Sequence, residues 1–285
     1  MSSAPRHPSA HSLAALLPKT LPLARIRYGE ASPVQFADLR LPRAAAPPAG
    51  FPVAIFVHGG GWLSDWTKDY AAGFVEALTE AGFATWDLEF RRIGNLKGGY
   101  PETFRDVGLG ADYLRETARS YPLDLDRIVA IGHSTGGHLA LWLAGRHRLR
   151  PESPLFVPDP LALMGVVSLG GVNDLEHSLD FGGRTDILTL LGVSSAAAAA
   201  PLFAETSPRR LLPLGIPQVL VLGSLEDQWR IEMTRGYAAA AERSGDRVRL
   251  LEPEGIDHFD VVDPFGPAFA TIAQEAAALA GVIVI

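Results

Sequence analysis

The chain has 285 residues, 47% hydrophobic and 8% aromatic, enough to bury a sizeable core in one large domain or two small ones. A formal net charge of −7 with only 20% charged residues argues against disorder, and against nucleic acid or an anionic membrane as partner. There is no cysteine, which excludes disulfides, thiolate metal sites and cysteine nucleophiles and is compatible with a cytoplasmic home.

Residues 1–20 are rich in Ser, Pro, Ala and His and are expected to be loosely attached. Their apolar piece, Leu13 to Leu17, lacks the basic start and sustained core of a signal peptide. No apolar run reaches the length of a transmembrane helix. Lysine occurs only at Lys19, Lys68 and Lys97 among many Arg, Ala and Pro, the composition of a GC-rich bacterial genome.

Ala24 to Tyr28 and Val34 to Leu41 read as short strands. Val53 to Val57 is a continuous apolar run, the mark of a strand buried on both faces, and it ends in His58-Gly59-Gly60-Gly61-Trp62. Asp69 to Ala81 reads as a helix closed by Gly82. Phe83 to Phe90 is the next strand, and a helix runs from Pro101 to about Thr117. The β-branched run beginning at Arg127 leads through Gly132-His133-Ser134-Thr135-Gly136 into a helix with Leu139, Trp142 and Leu143 on one face.

Ala162 to Leu169 is another buried strand. Residues 173 to about 213 do not alternate cleanly and read as a small helical insertion. Then come a strand at Gln218 to Leu222, a helix at Met233 to Ser244, a strand at Val248 to Leu251 and a last helix at Ala268 to Leu279. Strands alternating with helices predict an α/β fold, a mostly parallel sheet covered on both faces. Ligands of such sheets bind beyond the carboxyl ends of the strands. The Gly59–Gly61 loop, Ser134, the pair Glu226-Asp227 and His258 all follow strands on that edge.

G-x-S-x-G between a strand and a helix is a nucleophile elbow. The chain reverses within a few residues, so side chains at Gly132 and Gly136 would collide with neighbouring backbone. The turn exposes the Ser134 hydroxyl and aims the N–H of Thr135 at whatever Ser134 attacks. A serine nucleophile needs a base, a group to orient the base, and donors for the oxyanion. His258, in the loop after the last strand, is the best base, with His177 in the insertion as its rival. His58 is expected to brace backbone, His133 to point away from the serine, and His138 and His147 to lie below the site. Carboxylate candidates are Glu226, Asp227 and Asp174.

These motifs resemble the α/β-hydrolase superfamily, and within it the esterase and kynurenine-formamidase-like group. The resemblance runs from about Tyr28 to Phe265. It is carried by His58-Gly59-Gly60-Gly61-Trp62, Gly132 to Gly136 and Asp257-His258-Phe259. It implies the triad order Ser, Asp or Glu, His. It also implies an acid three residues after the strand-ending glycine. Counted from Gly223 that is Glu226, where the family more often has aspartate; Asp227 would need a one-residue slip. Two of the amides of Gly59, Gly60 and Gly61, with that of Thr135, would form the oxyanion hole.

The chain is therefore expected to be a single α/β-hydrolase domain with a cap-like insertion at 173–213. It is expected to be a serine carboxylesterase that needs no metal or organic cofactor and acts on small esters. An arylformamidase is the nearest alternative, and a non-enzymatic receptor on the same fold is the next. Trp62, Tyr100, Trp229 and Phe259 are candidate pocket residues, with a core role as the competing reading. Arg91 and Arg92 are expected to be structural.

Overall fold

A computed structural model of the chain describes residues 18–282. Among the described residues eight strands form one sheet: β1 Ala24–Arg27, β2 Phe36–Arg40, β3 Phe51–Val57, β4 Ala84–Glu89, β5 Leu123–His133, β6 Gly165–Leu169, β7 Gln218–Val221 and β8 Val248–Leu251. Their order is β1-β2-β4-β3-β5-β6-β7-β8. β1 and β2 pair antiparallel, β2 meets β4 antiparallel, and every pairing from β4 to β8 is parallel. The mostly parallel α/β-hydrolase sheet expected from the sequence is present.

The alternation of side chains along each strand assigns them to two cores. Val53, Ile55 and Val57 of β3 face one core with Trp86, Ile128, Ala130 and Val166. The helices α2 Glu102–Asp112, α4 Thr135–Gly145 and α9 Gln228–Arg243 cover that side. Ala54 and Phe56 face the other core with Val129, Ile131 and Val167. There α1 Ala72–Glu80 and α10 Phe269–Leu279 supply Phe74, Val75, Ile272 and Ala276. A parallel sheet coated on both faces must read as continuous apolar strands, and β3 and β4 are buried at every position.

The first helix splits: a 3₁₀ turn, Lys68–Ala71, precedes α1. The helix expected from Pro101 breaks at Tyr113, and α3, Leu114–Thr117, continues it. α9 starts five residues earlier than its apolar pattern suggests, because Arg230 in its first turn is buried against Glu226 and Gly170. The insertion is helical, with α5 Leu175–Asp180, α6 Asp186–Leu191, α7 Ala196–Ala199 and α8 Phe203–Thr206. It covers α4, which is buried all round: Trp142 Nε1 donates to Glu205 O at 2.9 Å and His138 Nε2 meets Thr206 O at 2.8 Å.

The expectation of a loose N-terminus falls mostly on residues 1–17, outside the described residues. Its last residues correct it. Lys19 N donates to Glu76 Oε2 at 2.7 Å, and Arg40 holds both the hydroxyl and the carbonyl of Thr20.

Candidate active site

The elbow comes from backbone crowding. Ser134 has φ 55° and ψ −120°, a conformation that β-carbon-bearing residues avoid unless their surroundings force it. A methyl at Gly132 would lie 2.1 Å from the Gly136 carbonyl oxygen, and one at Gly136 would lie 2.0 Å from that of Val57. Only bare glycines let β3, β5 and α4 meet this closely. The Ser134 N–H is held by Leu169 O of the neighbouring strand at 2.8 Å, so the sheet fixes the serine directly.

Around it the loops at the carboxyl edge converge. His258 Nε2 lies 3.0 Å from Ser134 Oγ, and His258 Nδ1 lies 2.7 Å from Glu226 Oε1. The Glu226 side chain is 3% exposed, and its second oxygen sits 3.0 Å from Arg230 Nε. Arg230, in the first turn of α9, is itself buried and donates from Nη1 to Gly170 O at 2.9 Å. Burial raises the Glu226 pKa, but His258 and then Arg230 outweigh it, and the carboxyl is held below its usual range.

The other carboxylates are elsewhere. Asp227 is exposed just before α9. Asp174 caps α5, accepting from the amides of Glu176 and His177. His177 packs against Phe181 in the insertion with its ring tilted by 39°, and makes no bond to Ser134.

The glycine loop runs alongside the serine. A methyl at Gly59 would stand 2.9 Å from Ser134 Cβ, so a residue with a side chain would block the approach. The structure removes Gly59 from the expected oxyanion donors: its N–H is spent on Tyr70 Oη at 2.8 Å. The amides of Gly60, Gly61 and Thr135 have no acceptor among the described residues. Thr135 Oγ1 meets the N–H of Trp62 at 3.3 Å, tying the loop to the start of α4.

His58 braces the loop from below. Its Nδ1 bonds Gly59 O at 2.8 Å, and its Nε2 faces Arg92 and Glu89. Arg92 also donates to Trp66 O at 2.8 Å, and Arg91 is locked on Asp106 and Glu102, so both arginines are structural.

A cavity of about 250 Å³ opens over Ser134, lined by Leu63, Trp66, Tyr70, His133, Arg184 and Phe259 beside His258, Gly60 and Gly61. Of the aromatic candidates only Phe259 lines it. Trp62 is 1% exposed and donates from Nε1 to His138 Nδ1 at 3.3 Å. Tyr100 reaches Glu205 in the insertion, and Trp229 packs under Arg230. Trp62, Tyr100 and Trp229 are thus corrected to packing roles. Aromatic side chains suit a core and a pocket equally, so composition does not separate them.

Sequence reasoning missed Tyr70, Trp66, Arg184 and Arg230. Only Arg230 carried a signal, its position four residues after Glu226, the spacing that juxtaposes side chains on a helix.

Residues 37–227 match the family model BD-FAE, a span that includes the glycine loop, Ser134 and Glu226 and ends before His258. A probable isoprenylcysteine α-carbonyl methylesterase of Oryza sativa subsp. japonica is 26% identical over 250 residues, 84% of this chain and 58% of the relative. A non-reducing polyketide synthase of Aspergillus calidoustus is 36% identical over 142 residues, 46% of this chain and 6% of the synthase. The chain spans less than two thirds of the length of both. Esterase B of Lactobacillus rhamnosis, solved also as a tributyrin phosphonate complex, superposes with a TM-score of 0.78 at 18% identity, covering 95% of this chain and 91% of that one. At that identity the superposition shows the fold. With more than half of its length matched by the family model, the chain belongs to the BD-FAE family and is an esterase-family α/β-hydrolase.

Proposed function

We propose that this protein is a serine carboxylesterase that hydrolyses small carboxylic esters through an acyl-enzyme on Ser134. The observation that carries the reading is the bonded series Ser134, His258 and Glu226, set beside backbone amides that have no acceptor among the described residues. His258 Nε2 takes the Ser134 proton as Oγ attacks the ester carbonyl. Negative charge develops on the carbonyl oxygen and is met by the amides of Gly60, Gly61 and Thr135. Glu226 fixes the Nδ1–H tautomer and stabilises the imidazolium. Collapse expels the alcohol, which takes the proton from His258. Water then attacks the acyl carbonyl with His258 as base, releasing the acid and restoring Ser134.

The cavity is small and its walls are mainly apolar, which favours short acyl groups over long chains. The tributyrin phosphonate on esterase B is consistent with that size class. An arylformamidase would use the same machinery, with His258 protonating an amine in place of an alcohol. Turnover of p-nitrophenyl esters of increasing acyl length, run beside N-formylkynurenine, separates the readings. The carboxylesterase reading predicts the highest kcat/KM on a short acyl ester. Higher kcat/KM on N-formylkynurenine would replace it with the amide reading, and no turnover of any of them would support the receptor.

A further inference from the structure

Tyr70 and His133, on the wall of the cavity, join the two loops that carry opposite halves of the site. The Gly59 N–H donates to Tyr70 Oη at 2.8 Å, Tyr70 Oη lies 2.7 Å from His133 Nδ1, and His133 Nε2 lies 2.8 Å from His258 O. Both side chains are buried. Every proton in this series has one possible place. A backbone carbonyl only accepts, so Nε2 must carry the hydrogen. A neutral imidazole then has a bare Nδ1, so the Tyr70 hydroxyl must donate to it. That leaves the tyrosine oxygen free to accept from Gly59. Burial first, and the nearby His258 after it, push the His133 pKa well below that of an ordinary imidazole, which keeps it in the form the series needs.

We propose that Tyr70 and His133 are positioning residues: a one-directional hydrogen-bond chain that sets the distance between the oxyanion loop and the loop bearing the catalytic histidine. The proposal rests on the ester-hydrolase reading above. By engaging Gly59, Tyr70 orients the loop so that the amides of Gly60 and Gly61 present themselves at the serine. By holding the His258 carbonyl, His133 keeps the imidazole within reach of Oγ. These contacts matter most in the transition state, when charge appears on both the oxyanion and the imidazole.

The rings around Tyr70 make the test clean. Trp66, Phe259 and His133 pack on its ring at centroid distances of 5.5, 6.2 and 5.7 Å, contacts that a phenylalanine retains. Tyr70→Phe therefore removes the hydroxyl and little else. The experiment is steady-state kinetics on p-nitrophenyl butyrate for wild type, Tyr70→Phe, His133→Phe and the double variant, with thermal melts of each. Tyr70→Phe is expected to lower kcat roughly 10- to 100-fold, the scale of a small misplacement of catalytic groups, with KM within about twofold of wild type. The double variant is expected to lose no more than about twofold beyond the worse single variant, because both break one chain. If His133→Phe does not fold, the split between kcat and KM in Tyr70→Phe decides alone. A folded Tyr70→Phe with wild-type kcat, or with KM raised and kcat unchanged, overturns the proposal, as do losses that multiply in the double variant. Wild type without turnover overturns the hydrolase reading along with it.

Discussion

Glu226 and Asp227 are neighbours in sequence and opposites in environment. The first is buried between His258 and Arg230, and the second is exposed. The departure from the family's usual aspartate is accommodated because the longer side chain still reaches His258 Nδ1 at 2.7 Å while its second oxygen meets the arginine. Neutralising a triad acid costs about 10⁴ in kcat in the best-known case, so Glu226→Gln is expected to lose on the order of 10³–10⁴. Asp227→Asn is expected to lose less than about tenfold, since a solvent-screened charge acts weakly. The kcat of each variant on one ester checks this, and reversed effects would move the acid to Asp227. At this scale the triad candidates were legible because each follows a strand end at a countable spacing. The pocket was not, because Trp66 and Arg184 reach it only through the path of two loops that no short-range pattern encodes.

Among the elements, the elbow and the turn before α1 carry the greatest structural stakes. The space at Gly136 is filled by β3 backbone, which has no rotamer to move. Gly136→Ala is therefore expected to yield protein that does not fold at 37 °C, visible as loss of soluble expression or of a cooperative melt. Lys68 opens the 3₁₀ turn that places Tyr70, and its Nζ lies 2.6 Å from Asp38 and 3.1 Å from Asp87, all three buried. Lys68→Met leaves the buried Asp87 without its cation, while Asp38 keeps Arg25 at 2.8 Å, and is expected to cost roughly 3–5 kcal/mol in urea unfolding. A cost below about 1 kcal/mol would contradict the pairing. Strands and their order in sequence were readable from continuous apolar runs, with errors of a few residues at the ends. The break at Tyr113 and the early start of α9 were not readable, since packing against the sheet and the site overrides local pattern there.

For the molecule as a whole, buried histidines set the response to acid. Burial lowers His138 from 6.5 to about 4, and lowers His133 well below 6.5. Between those values the unfolded chain binds protons that the folded chain refuses, so stability falls as pH drops from about 6.5 towards 4. Asp87 opposes this. Burial raises it from 3.8 to about 6 despite Lys68, so the folded state holds a proton there that the unfolded state lacks, and acid favours folding at that site. The lowered carboxyls of Asp38, Glu76, Glu89 and Glu226 act with the two histidines, and the raised ones of Asp174 and Asp260 act with Asp87. The midpoint of urea unfolding is expected to be lower at pH 4.5 than at pH 7, and His138→Gln is expected to flatten the difference. An unchanged midpoint would contradict the assignment of these histidines as neutral. The fold class was legible from the alternation of strands and helices. The antiparallel β1–β2 edge and the strand order were not, because pairing partners far apart in sequence leave no local mark.

The central claim is that Ser134 is a nucleophile activated by His258. Its most direct measurement is mass spectrometry of the protein after brief exposure to a fluorophosphonate ester. The account predicts one phosphonyl group, on Ser134, with labelling abolished in Ser134→Ala and slowed at least about 10²-fold in His258→Gln. Labelling at another residue, or an unlabelled wild type, would contradict it.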